Sequence, residues 1–215
     1  MVDVKYELKR IARNTLAPLL YRYPPFALQP ERLYLFLHHL ILTKSVPGPV
    51  VEIGCNLGGT AVIARRMLDR IGANKSYICI DTFDGFVDEQ FETDEALGTP
   101  VTDQNLFSGN SKSLVAKILR QHQCDNVELI QGDIIKLPDT LLPSTCSAVL
   151  LDVDLTEPTY VALKRFWPKL ERGGVILVDD CQERSTWKAR IGYSRFCQEE
   201  GLPECYEYGV GIIMR

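Results

Sequence analysis

Residues 50–60 read Val50-Val51-Glu52-Ile53-Gly54-Cys55-Asn56-Leu57-Gly58-Gly59-Thr60, an apolar run that enters a glycine turn and then a helix starting near Gly59. A short β-rich run ending in glycines predicts a buried strand. The turn leaves its backbone bare, so a ligand can approach closely, and the N-terminus of the following helix favours a carboxylate or phosphate. Spacing separates the ligands. A dinucleotide fingerprint requires G-x-G-x-x-G, whereas Asn56 stands where the second glycine would admit a pyrophosphate. The lysine of a phosphate-binding loop is also missing.

Outward from this stretch, YICID at 77–81, VELIQ at 127–131, AVLLD at 148–152 and VILVD at 175–179 alternate with helical patterns. Such alternation predicts an α/β fold with a parallel sheet. Leu114, Val115, Ile118 and Leu119 share one helix face; Tyr160, Leu163, Trp167 and Leu170 share another, and Gly173-Gly174 is expected to stop that helix. A helix over Ser185–Glu199 and a closing hairpin around Tyr206 and Ile212 follow. Upstream, residues 2–20 and 31–43 read as helices around a Pro- and aromatic-rich loop at 21–30. Residues 1–48 are thus a helical N-terminal extension of one domain spanning 1–215. The acidic, polar stretch 84–110 carries scattered aromatics, and a loop so long is expected to act as a lid.

The chain has 215 residues, and 24 basic against 28 acidic side chains give a net charge of -4. That balance argues against a strongly basic nucleic-acid binder. At 46% hydrophobic residues, there is material for a sizeable core. The first twenty residues interleave charge with apolar positions, unlike a secretory signal, and the run Leu33–Leu42 falls short of the ~20 residues of a membrane span. A soluble, cytoplasmic protein with no membrane partner is expected. Seven scattered cysteines without a C-x-x-C pair read as reduced core thiols, and three histidines offer little for a zinc centre.

Glu52, two positions before Gly54, suits an ammonium group, and the helix start at Gly58, Gly59 and Thr60 suits a carboxylate; together they describe an amino-acid moiety. S-adenosylmethionine carries both groups. Asp81, 27 residues after Gly54, can accept hydrogen bonds from ribose hydroxyls, with Thr82 beside it and Phe83 expected against adenine. Gly132-Asp133-Ile134 offers an acceptor for an adenine amino group beside an apolar contact. Singly, these residues also read as a tight turn, a helix cap and a loop carboxylate. Their joint order on successive strand ends favours a nucleoside site.

Asp152 ends the fourth run, and Asp179-Asp180 end the fifth 27 and 28 residues later. Adjacent strands lie ~4.8 Å apart, so these carboxylates can face one small volume. Clustered carboxylates repel unless a proton or cation joins them, and a hard ion such as magnesium would do so. The competing reading makes Asp152 and Asp179 helix caps, with Asp180 in solvent and Asp154 merely polar.

From about Val50 to Asp180 the chain resembles a class I S-adenosylmethionine-dependent methyltransferase, and more narrowly the macrocin O-methyltransferase family of sugar O-methyltransferases. The resemblance lies in E-I-G-C-N-L-G-G-T at 52–60, D-T-F-D-G-F at 81–86, L-D-V-D-L-T-E-P-T at 151–159, F-W-P-K-L at 166–170 and G-G-V-I-L-V-D-D at 173–180. It implies a Rossmann-like sandwich with a mostly parallel seven-stranded sheet, an antiparallel last strand, and a bound magnesium ion. It assigns Asp152 as metal ligand and general base, Asp179 and Asp180 as the other ligands, and a homodimer through the N-terminal helices. The family usually has Gly, Tyr and Ser at Val153, Thr156 and Pro158, and Tyr at Cys181. The expected function is magnesium-assisted methylation of a hydroxyl on a small molecule such as a natural-product sugar. The alternative is a non-catalytic S-adenosylmethionine-binding module; a metal-dependent oxygenase is disfavoured by the lack of a histidine-bearing iron site.

Overall fold

A computed structural model describes residues 4–215, with side chains from Glu7 onward. Helix α1 spans Val4–Leu20, and α2 spans Pro30–Leu42; positions 2 and 3 of the expected first helix lie outside the described residues. Pro30 opens α2, where its missing N–H costs nothing. The buried face of α2 is Arg32, Leu35, Phe36, His39 and Leu40, a helical-period stripe that contains one full charge.

The sheet strands are β1 Val50–Ile53, β2 Tyr77–Asp81, β3 Glu128–Gln131, β4 Cys146–Leu151, β5 Leu170–Val178, β6 Tyr206–Glu207 and β7 Val210–Met214. Their order is β3-β2-β1-β4-β5-β7-β6, with β7 antiparallel to both neighbours. The expected seven strands, antiparallel last strand and closing hairpin are therefore present. Between them run α3 Gly59–Arg70, α4 Asp88–Glu95, α5 Lys112–Gln121, α6 Thr156–Phe166 and α7 Ala189–Glu200.

Strand period sorts the core into two layers. Val50, Tyr77, Cys79, Ala148, Leu150, Val175 and Leu177 face α2, α3 and Val115 and Leu119 of α5, while Leu114 and Ile118 of α5 pack against Ala17 and Tyr21. Val51, Ile53, Ile78, Ile80, Val149, Leu151, Ile176 and Val178 face α6 and α7. Each fully buried aliphatic side chain contributes about 1.5–3 kcal/mol. Both sides of β1 and β4 are covered, which explains why every residue of the two strands is buried and nearly all are apolar. Six of the seven cysteines are buried. Among the described residues no helix is long and apolar enough to cross a membrane.

Three expected boundaries shift. Helix α6 ends at Phe166, before Pro168, and Leu170 already begins β5 rather than continuing the helix face. Proline cannot continue the helical ladder, so Gly173-Gly174 is not the stop signal. These glycines lie inside β5, where the register jumps from Cys146↔Leu170 to Ala148↔Val175; a side chain on Gly174 would start 2.8 Å from the Ser147 carbonyl oxygen. Helix α7 begins at Ala189, not near Ser185, because Ser185 Oγ accepts from Trp187 N in a preceding turn. The stretch 84–110 is also not a bare loop: it holds α4 and a short 3₁₀ turn at Val101–Asp103.

The chain order reverses between β1 and β4. Gly54 and Asp152 leave the sheet there side by side, with Asp152 N donating to Ile53 O at 2.8 Å. Open α/β sheets bind ligands in the crevice at such a point.

Candidate active site

A cavity of about 300 Å³ occupies this crevice. Its wall includes Glu52, Gly54, Asn56, Gly59, Thr60, Asp81, Thr82, Asp133, Ile134, Asp152, Asp179 and Asp180 from the expected site. Two expected cofactor residues are absent from that wall. Gly58 has φ +74° and serves as the left-handed N-cap of α3. Phe83 is 1% exposed and packs in the core with Cys79 and Val115. Its backbone, at φ +54°, turns the side chain inward while its N–H faces Asp81, so Phe83 does not lie against a ligand in the cavity.

The glycine turn is shaped first by the protein's own backbone. A methyl group on Gly54 would sit 1.8 Å from the Asp152 carbonyl oxygen, and one on Gly59 would sit 2.3 Å from the Pro25 carbonyl carbon. Gly59 is thus bare because the loop between α1 and α2 crosses the start of α3. That loop and α2 add Pro25, Phe26, Leu28, Gln29 and Arg32 to the cavity wall.

On the β1–β3 side, each acid is held by neutral donors. Tyr77 Oη donates to Glu52 Oε2 at 2.6 Å. Glu52 is 2% exposed, and burial pushes its pKa up to about 8, with the tyrosine opposing and the Asp81 charge adding to the rise. Asp81 accepts from Asn56 N at 2.8 Å and Phe83 N at 2.7 Å. Burial raises its pKa against those two hydrogen bonds. One N–H per carboxylate oxygen leaves lone pairs for ribose hydroxyls. Asp133 accepts from Gln90 Nε2 and Ile135 N, both at 2.9 Å. Gln90 belongs to α4, so the expected lid is tied to the expected adenine acceptor.

On the β4–β5 side the acids face one another. Ligand oxygens of Asp152, Asp154 and Asp180 all lie within 4.8 Å of one another. Burial, then the charges of Asp179, Asp154 and Asp180, hold the Asp152 pKa far above the carboxylate range. Burial, the Asp180 charge and a hydrogen bond with Asp180 do the same for Asp154. The converging trio therefore contains Asp154 in place of the expected Asp179. Asp179 Oδ1 instead accepts from Arg32 Nη1 at 2.8 Å, and the same nitrogen donates to Asp180 Oδ1 at 2.9 Å. Asp179 is raised to about 6 by burial and Asp180, with Arg32 opposing. Asp154 and Asp180 have φ +63° and +55°; left-handed backbone, which aspartate tolerates, carries both side chains to the cluster.

Three hard oxygen donors crowded together in a partly dry crevice fit a divalent cation such as magnesium. The nucleoside-side donors likewise fit S-adenosylmethionine: a buried acid for its ammonium, a helix start for its carboxylate, and free lone pairs for its ribose.

The segment 84–110 forms the roof. Phe86 packs on Phe91, Phe107 and Trp187 with ring centroids 5.4, 5.3 and 5.6 Å away. Asp94 Oδ2 accepts from Thr156 N at 2.7 Å, capping α6, and Thr99 Oγ1 donates to Thr186 O at 3.0 Å. Asn110 Nδ2 donates to Asn56 O at 2.6 Å. Arg32, Gln90 and Asn110 were not singled out from sequence. Arg32 had a signal: it shares the helical register of Leu35, Phe36, His39 and Leu40. Gln90 and Asn110 lie in a polar stretch without periodicity, so nothing distinguished them.

The profile of the macrocin-O-methyltransferase (TylF) family matches residues 34–206. Two curated proteins are each 28% identical to this chain. One is demethyldecarbamoylnovobiocin O-methyltransferase of Streptomyces niveus, matched over 151 residues, 65% of this chain and 55% of the relative. The other is 8-demethyl-8-(2,3-dimethoxy-alpha-L-rhamnosyl)-tetracenomycin-C 4'-O-methyltransferase of Streptomyces olivaceus, matched over 150 residues with the same coverage. The chain thus spans about half the length of the curated relatives it matches. Among solved structures, the O-methyltransferase NovP superposes with a TM-score of 0.73 at 18% identity, covering 99% of this chain and 98% of that one. Calicheamicin methyltransferase CalS11 gives 0.71 at 19% identity, covering 98% and 91%. At such identities these two matches speak for the fold.

Proposed function

The chain belongs to the macrocin O-methyltransferase family, and from that premise we propose that it transfers a methyl group from S-adenosylmethionine to a hydroxyl of a small molecule, such as a natural-product sugar. The observation that carries this reading is the single cavity that joins the Glu52–Asp81–Asp133 edge to the Asp152–Asp154–Asp180 cluster.

In this reading Glu52 pairs with the cofactor ammonium, the α3 start at Gly59 and Thr60 faces its carboxylate, and the backbone of Gly54 and Asn56 shapes the turn around it. Asp81 and Thr82 hold the ribose, while Asp133 and Ile134 meet the adenine. Asp152, Asp154 and Asp180 would hold a magnesium ion, and the metal would lower the proton affinity of the acceptor hydroxyl. Asp152, at the end of β4 on the cavity wall, is the carboxylate that receives the hydroxyl proton. Transfer requires acceptor oxygen, methyl carbon and sulfur in line, so orientation by the cavity walls supplies much of the rate gain. The 84–110 segment acts as a lid: its aromatic roof excludes water, and Asp94 keeps it against α6.

Calorimetry with S-adenosylmethionine, followed by a screen of glycosides for methyl transfer with and without magnesium, tests the proposal. Binding with turnover that chelator abolishes is expected. Tight binding with no methyl transfer to any hydroxylated acceptor would return the non-catalytic reading.

A further inference from the structure

Arg32 lies two residues before the matched family span, in the N-terminal part of the chain. It is 4% exposed, yet one nitrogen, Nη1, makes both of its hydrogen bonds, to Asp179 and Asp180. Its Nε and Nη2 are buried without a hydrogen-bond partner among the described residues. A guanidinium held for its fork geometry would engage several donors. Here most of the fork is idle, and the side chain contributes chiefly its charge.

That charge stands at the edge of the acid trio. Asp180 is shared: its Oδ1 accepts from Arg32, and it also belongs to the three carboxylates that converge. Asp179 is drawn to the same guanidinium rather than joining them.

We propose that Arg32 is a positioning residue that acts as a resident counter-ion: it competes with a divalent cation for Asp180 and keeps Asp179 out of the ligand set. The inference rests on the metal reading of the cluster given above. Like charges a few ångströms apart repel strongly in a partly dry site, so the arginine weakens metal binding while offsetting the mutual repulsion of the carboxylates when the metal is away. The fold consequence is that α2, outside the sheet, sets the charge of the centre.

The test is titration of Mn2+ into the intact protein, with free ion read by electron paramagnetic resonance, for wild type, Arg32→Gln, Arg32→Met and Arg32→Lys. Gln keeps amide donors for the two aspartates without the charge, so it covers the case in which Met fails to fold. Losing the charge is expected to tighten Mn2+ binding by about tenfold or more, while Lys stays within about threefold of wild type. If wild type binds Mn2+ and the folded uncharged variant binds it no tighter, Arg32 is scaffold and the inference fails, with the metal reading intact. If neither wild type nor the variants bind at millimolar Mn2+, the metal reading falls and takes the inference with it.

Discussion

The two halves of the cavity treat negative charge in opposite ways. Along β1–β3, Glu52, Asp81 and Asp133 each rest on neutral donors: a phenol, two backbone N–H groups, an amide and another backbone N–H. Along β4–β5, Asp152, Asp154 and Asp180 converge, and the neighbouring cation in hydrogen-bond contact is Arg32. Neutral donors hold an acid in place and leave it able to bind hydroxyls or an ammonium. Carboxylates that converge without enough donors call for a cation. In the proposed function the first half recognises the cofactor, and the second concentrates charge where the acceptor hydroxyl would lose its proton.

The sharpest way to break this contrast is Asp152→Ala. Turnover should fall roughly 10³-fold, the scale of a lost general base, while cofactor affinity stays within about tenfold, ~1.4 kcal/mol. Residual turnover near wild type would remove the proton-accepting role. Next, Asp154→Asn should weaken Mn2+ binding roughly 100-fold, ~2.7 kcal/mol, and Asp179→Asn by less than tenfold. The reverse ranking would restore the ligand set read from the sequence.

On the recognition side, Asp81→Ala should weaken S-adenosylmethionine by about 1.5–3 kcal/mol in calorimetry and leave Mn2+ binding unchanged, because it removes charge-assisted hydrogen bonds to ribose. Loss of metal binding as well would show that the halves are not separate. The smallest effect concerns Glu52, whose pKa of about 8 keeps it largely protonated at neutral pH. A cofactor ammonium pairs with the ionised form, so binding releases a proton. Affinity should therefore rise with pH, by up to tenfold or ~1.4 kcal/mol per unit, until about pH 8. Glu52→Gln should flatten that rise. Calorimetry in two buffers of different ionisation enthalpy reads the proton directly, and identical heats would refute the pairing.

Legibility in the sequence followed from range. The five parallel strands, the α5 stripe and the closing hairpin were readable because alternation and helical period are local properties of the chain. Asp81, Asp133 and Asp152 were readable because residues at strand ends inherit their position from the strand. Phe83 was misread: its place in the sequence next to Asp81 was right, but its left-handed backbone points the ring into the core. The glycines at 173 and 174 were misread because a helix stop and a strand bulge use the same residue, and Pro168 had already acted.

The amino-acid sequence by itself determined the alternation of parallel strands and helices and the order in which acids arrive at the strand ends. These depend on periodicity and on covalent order. Tertiary structure alone decided that Asp154 replaces Asp179 in the converging trio, that Arg32 crosses 147 residues of chain to reach Asp179, and that Pro25 lies against Gly59. Such choices depend on side-chain direction and on packing between distant segments, and a buried charge finds its partner only after the helix carrying it has docked.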